Sequence, residues 1–172
     1  FSFGNIAASG GYYIACTGDK IFGGEGTITG SIGVVMGKLD LGGLYARLGI
    51  NKDIIKMSEF ADIFDESRKL SPRERELLRK AVDFTYRGFV DKVVRGRSIP
   101  PEEMPSIAEG RVFSGSRAKE RALVDSIGGL AAAIEYAKSA AGIDGSFRVM
   151  HLPERKSSIV EILGSASADE AL

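Results

Sequence analysis

Apolar positions along the chain change their spacing several times, and each change predicts an element. Residues 1–16 begin apolar, pass through Ala7-Ala8-Ser9-Gly10-Gly11, and continue as Tyr12-Tyr13-Ile14-Ala15-Cys16. This predicts a strand, a glycine turn and a short helix. Lys20-Ile21-Phe22-Gly23-Gly24 reads as a short strand. Residues 27–38 intersperse glycine among Ile, Val and Met, the pattern of a buried strand approached closely by backbone or ligand. A short helix over 40–48 closed by Gly49 follows, then a strand over 52–57. The clearest helix covers 71–96: Ser71 as N-cap, Pro72 at the first position, Glu74 completing a capping box and Gly96 as C-cap. Helices are also expected over 101–109, over 115–122 with Ser114 as cap, and over 129–141. Strands alternating with helices give an α/β fold class.

Composition narrows the function classes. The 172 residues suffice for one domain with a real core. Lys+Arg and Asp+Glu both number 23, so there is no basic surplus to make nucleic acid the main partner. Arg73, Arg75, Arg79 and Lys80 read as a solvated helix face with Glu74 and Glu76 as partners. Cys16 is the single cysteine and reads as a packing residue. With one histidine, His151, no Cys/His metal cluster forms, and neither metal nor cofactor is expected. No run of 18 apolar residues spans a bilayer and no basic n-region opens the chain. The start at Phe1 without Met is expected to mark a piece of a longer polypeptide, with any membrane segment outside it.

Ser9 is the sharpest chemical feature. Small residues flank it on both sides. A nucleophilic serine needs a turn that exposes its hydroxyl, room for substrate backbone, and a free N–H aimed at the developing oxyanion. Ala-Ser-Gly-Gly is also a common turn, so the residues alone leave both readings open.

Three ordered motifs bear on that choice. They are Ala7-Ala8-Ser9-Gly10-Gly11-Tyr12-Tyr13-Ile14-Ala15, then Thr27-Ile28-Thr29-Gly30-Ser31-Ile32-Gly33-Val34. The last is Gly110-Arg111-Val112-Phe113-Ser114-Gly115 with Leu123-Val124-Asp125-Ser126-Ile127-Gly128. Together they resemble the signal peptide peptidase A (protease IV) family over roughly residues 3–142. The resemblance implies a crotonase/Clp-protease-like α/β fold, here missing its N-terminal βα units, and a Ser-Lys dyad. It makes Ser9 the nucleophile, Gly10 an oxyanion donor and Ser31 a support for the lysine amine. Ser31 can equally be a strand serine satisfied by backbone. Substrate is expected to add as a strand along 27–36, with Gly30, Ile32 and Gly33 as its contacts.

The lysine is where the sequence departs from the family. The matching position, in Ser58-Glu59-Phe60-Ala61-Asp62-Ile63, is Ala61, which cannot take a proton. Either the chain resembles the C-terminal, serine-bearing half of a long two-repeat member, with the lysine in the other half, or a lysine was replaced. Lys56 and Lys69 lie nearby but off the motif and read as surface charge.

The resulting expectation is a protease domain over 1–145, an extension over 146–163 and a disordered tail over 164–172. The function implied is a membrane-attached, extracytoplasmic, homo-oligomeric peptidase that degrades apolar peptides such as remnant signal peptides. The rivals are a crotonase-like acyl-CoA enzyme, a non-catalytic domain and a phage-type capsid maturation protease.

Overall fold

The computed structural model describes residues 1–152. Contacts divide the chain into two units, Phe1–Ala137 and Lys138–Leu172. The first runs β1 (Ile6–Ala8), α1 (Gly10–Ala15), β2 (Phe22–Gly23), β3 (Ile28–Gly30), α2 (Gly42–Leu48) and α3 (Pro72–Arg97). It continues with a 3-10 turn (Pro101–Glu103), α4 (Met104–Ile107), β4 (Val112–Ser114), α5 (Gly115–Glu120), β5 (Ser126–Ile127) and most of α6 (Leu130–Ala140). The α/β class is borne out. In the second unit the chain leaves α6 through Gly142 at φ 64, and Lys138 lies over the Phe147 ring at 5.1 Å. The tail expected at 164–172 and most of the extension expected at 146–163 fall outside the described residues.

Two small sheets position the site. β3 is central in the first, parallel to β1 and antiparallel to β4. β2 and β5 pair in parallel to form the second. The core gathers between these sheets, α1, α3 and the 99–124 region, around Phe3, Tyr12, Ile21, Ile32, Val93 and Leu123. Burying apolar side chains of this size contributes about 1.5–3 kcal/mol each.

Local signals explain most boundaries. Ser71 caps α3 as expected: its hydroxyl accepts from Glu74 N–H at 3.2 Å, and the Glu74 carboxylate accepts from Ser71 N–H at 2.7 Å. Ser114 caps α5 by accepting from Arg117 N–H. α2 ends on Gly49 in the left-handed region.

Three expectations fail for identifiable reasons. Gly96 is not the C-cap of α3; Ser98 is, at φ 51. Gly96 serves close packing instead, since a Cβ there would fall 2.3 Å from the Cys16 carbonyl oxygen. The strand expected over 27–38 stops at Gly30, because Gly30 and Ser31 both take positive φ (79° and 51°) and turn the chain off the sheet. Residues 52–56 form no strand; no described strand lies alongside to bond them, and Ile55 is 98% exposed.

Candidate active site

Three serines sit immediately before helices, and one of them does not act as a cap. A capping serine takes an extended backbone so that its oxygen reaches the first-turn N–H groups. Ser71 and Ser114 do so, at φ/ψ of −68/162 and −68/158. Ser9 instead sits at φ 50, ψ −117 and makes no side-chain cap. Such a conformation costs a non-glycine residue of order 1–3 kcal/mol and persists only where surroundings enforce it. Here the Ser9 N–H donates to the Gly30 carbonyl at 2.9 Å, and the Ser9 carbonyl accepts from Tyr13 N–H at 2.8 Å. The hydroxyl is exposed and makes no hydrogen bond to any described residue. The strand–turn–helix with a strained, outward serine has the logic of a nucleophile elbow.

Gly10 opens α1. A Cβ there would meet nothing within 4 Å, so the space beside Ser9 is free. As the first residue of a helix, its N–H has no intrahelical acceptor.

Ser9 and Gly10 line a cleft of about 750 Å³. The turn out of β3 contributes Ser31, Gly33, Val34 and Val35, and Gly110 closes that side. α3 forms the opposite wall with Val82, Tyr86 and Phe89. Ser31 N–H donates to the Arg111 carbonyl at 2.7 Å, while its hydroxyl has no described hydrogen-bond partner. Gly33 is required by close approach, since a Cβ would lie 2.8 Å from Gly110 N.

Of the expected site residues, Ser9, Gly10, Ser31 and Gly33 therefore converge. Gly30 and Ile32 do not line the cleft. Gly30 pairs with Ala8 on one side and Val112 on the other, leaving no edge for a peptide. Ile32 is fully buried, and its carbonyl accepts from Gly110 N–H at 3.0 Å. A free backbone edge begins at Gly33: residues 33–37 make no described backbone hydrogen bond, and Val35 is 97% exposed.

The cleft also holds two carboxylates, Asp83 and Glu109, which the spacing of the sequence did not signal. Glu109 pairs with Arg111 at 2.9 Å. Asp83 has no ion-pair partner among the described residues.

Among the described residues, no lysine or histidine lines this cleft. Ala61 is exposed on a turn outside the lining. Lys56 is engaged elsewhere, 2.8 Å from the Asp62 carboxylate. Lys69 is exposed and does not reach the cleft. The turn at Ala61 is fastened to the start of α3 by a charge cluster. Arg68 bonds both Asp62 and the buried Glu74. That pairing holds the Asp62 carboxyl well below the usual range, with Lys56 adding to it, and lowers Glu74 to about 2. Glu74 thus faces inward to Arg68 and does not partner the exposed arginines of α3, contrary to expectation. Arg73 pairs with Glu59 and Lys80 with Glu76.

Comparison with known proteins now bears on the same residues. The profile of peptidase family S49 matches residues 1–144, from ahead of β1 to just beyond α6. The chain belongs to peptidase family S49. Serine protease SPPA, chloroplastic, of Arabidopsis thaliana is 39% identical over 165 residues, covering 94% of this chain and 24% of that one. Protease 4 of Salmonella typhi is 34% identical over 141 residues, covering 80% and 23% respectively. The S49 chain described here thus spans about a quarter of the length of these two relatives. Among solved structures, an enoyl-CoA hydratase/isomerase family protein from Hyphomonas neptunium aligns with TM-score 0.41 and 18% identity, over 82% of this chain and 36% of that one. So slight a likeness adds nothing to the α/β class already visible in the S49 chain's strands and helices.

Proposed function

We propose that this chain supplies the nucleophile of a serine endopeptidase, Ser9, and that the base is a lysine from another segment of the protein. The observation that carries the reading is the strained, uncapped Ser9, whose free hydroxyl opens onto a largely apolar cleft. In the reaction, Ser9 Oγ attacks the scissile carbonyl and its proton passes to the base. The Gly10 N–H donates to the oxyanion. Collapse expels the amine, which takes that proton, and leaves an acyl-enzyme at Ser9. Water then hydrolyses the ester and regenerates the serine. A lysine amine performs this role only if burial keeps it neutral, and the role proposed for Ser31, whose hydroxyl lacks a partner among the described residues and which lines the same cleft, is to bond that amine.

The position of Ala61, the ion pair of Lys56 and the absence of Lys or His from the described lining support a base from another segment. This agrees with the serine-bearing half of a two-repeat protein. The substrate proposed is an extended apolar peptide, such as a remnant signal peptide, adding as a strand to the free edge at 33–37. The setting proposed is a homo-oligomer attached to a membrane and facing the extracytoplasmic side. Among the described residues no helix is long and apolar enough to cross a membrane, so attachment is assigned to another segment.

Fluorophosphonate labelling tests the reading. In the complete protein, label should map to Ser9; in this chain alone, labelling should be slower by several orders of magnitude, because the base is missing. Equal rates would place the base within this chain and overturn the two-segment account.

A further inference from the structure

We infer that Tyr12 is a positioning residue for Ser9, holding the nucleophile-bearing helix α1 in place through the Leu123 carbonyl. The inference rests on the reading of Ser9 as nucleophile. α1 has six residues, too few to be stable by itself, so its placement is set by what it touches. Ser9 is joined to it by the first helical hydrogen bond, from Tyr13 N–H. Any tilt of α1 therefore moves the Ser9 hydroxyl.

Tyr12 is fully buried, and its hydroxyl donates to Leu123 O at 3.0 Å. Burial pushes the phenol well above its ordinary value, so it is a neutral donor at neutral pH. The acceptor is itself held in place. Leu123 N–H donates to Ala118 O at 2.9 Å, and Ala122 sits at φ 56. Arg97, at the end of α3, donates from Nε to Ala122 O at 2.9 Å and pairs through Nη2 with Asp125 Oδ1 at 2.9 Å. The other Asp125 oxygen accepts from Ile21 N–H at 2.7 Å. Tyr12 thus ties the helix behind the nucleophile to a loop braced by α3, the element that forms the far wall of the cleft. The register between nucleophile and substrate wall is set by this tie. Leu123 O has no second donor among the described residues, so loss of the hydroxyl leaves a buried carbonyl unsatisfied and α1 free to shift.

The test is Tyr12→Phe in the complete protein, with kcat, KM and thermal midpoint measured beside Ser9→Ala. A misplacement near 1 Å costs on the order of 100-fold in rate, so kcat should fall about 10- to 100-fold. KM should stay within about two-fold, because the cleft walls are intact. The fluorophosphonate labelling rate should fall with kcat at temperatures where the variant is fully folded, a loss that a merely structural role would not produce. Asp125→Asn should act in the same direction, and the double variant should be no slower than the worse single one, because both act on one tie. A folded Tyr12→Phe with kcat unchanged would overturn the inference. If Tyr12→Phe does not fold, Asp125→Asn decides: reduced kcat in a folded protein supports the tie, and unchanged kcat overturns it. Activity remaining in Ser9→Ala would instead overturn the nucleophile reading. A dead Ser9→Ala beside a fully active Tyr12→Phe removes only the positioning role.

Discussion

The N–H of Ser9 donates to the carbonyl of Gly30 at 2.9 Å, so the turn that lifts the serine is fastened to the point where β3 leaves the sheet. Two consecutive positive-φ residues, Gly30 and Ser31, make that departure and carry Ser31 into the same cleft. The strain at Ser9 and the bend at Gly30 hold each other.

Gly30→Ala should therefore damage the site as well as the fold. At φ 79 an alanine is strained, and its Cβ would lie 3.0 Å from Arg111 O and from the Phe113 ring. The expected loss of stability is about 1–3 kcal/mol. Labelling of Ser9 should slow in the fraction that remains folded. Urea unfolding and labelling kinetics on the same sample check both, and wild-type labelling in a destabilised variant would uncouple the two residues.

Acid should loosen the start of α3 before it unfolds the core. Glu74 is lowered to about 2, first by its bonds from Arg68 and then by the Ser71 N–H. Asp65 is lowered to about 2, first by Lys52 and then by Ser67. A carboxylate depressed in the folded state contributes stability above its ordinary pKa and loses it as pH falls through the folded value. The contribution should be complete above about pH 5 and fade towards pH 2. Hydrogen exchange at residues 71–76 over that range checks it. Glu74→Gln should flatten this dependence; an unchanged acid profile in that variant would contradict the assignment.

How much of this was legible beforehand depended on how local each cause was. The capping box of Ser71 and Glu74 spans three residues and was readable in full. So was the turn of small residues around Ser9, although its positive φ and free hydroxyl were not. Failures came where a distant partner decides. Gly96 looks like a helix end until Cys16 is seen packed against it. Residues 52–57 have strand composition, but a strand needs a neighbour. Ile32 alternates as a contact residue would, yet the bend at Gly30 turns it into the core. Asp83 and Glu109 stand far from Ser9 in sequence and reach its cleft only through α3 and the turn before Gly110. No spacing rule reports such a convergence, nor the link from Arg97 to Asp125 across 28 positions.

Substrate preference should be apolar with a bias against acids. The free edge at 33–37 offers no counter-ion, so a charged side chain bound there would be desolvated at a cost. Asp83 adds a negative charge to the opposite wall. Peptide libraries should show Leu or Ala favoured before the cut and Asp or Glu most disfavoured. Asp83→Asn should relax the bias against acids by a few-fold, about the size of a partly screened charge contact. A strong preference for Asp or Glu would contradict the cleft as described.

The nucleophilic role of Ser9 is tested most directly by Ser9→Ala in the complete protein, with turnover of a fluorogenic apolar peptide measured beside a thermal melt. Alanine fits less well than glycine but no worse than serine at φ 50, so the melt should change little. Turnover should fall by three or more orders of magnitude, on the scale of removing a serine nucleophile. A folded Ser9→Ala protein that cleaves the peptide at a rate near wild type would contradict it.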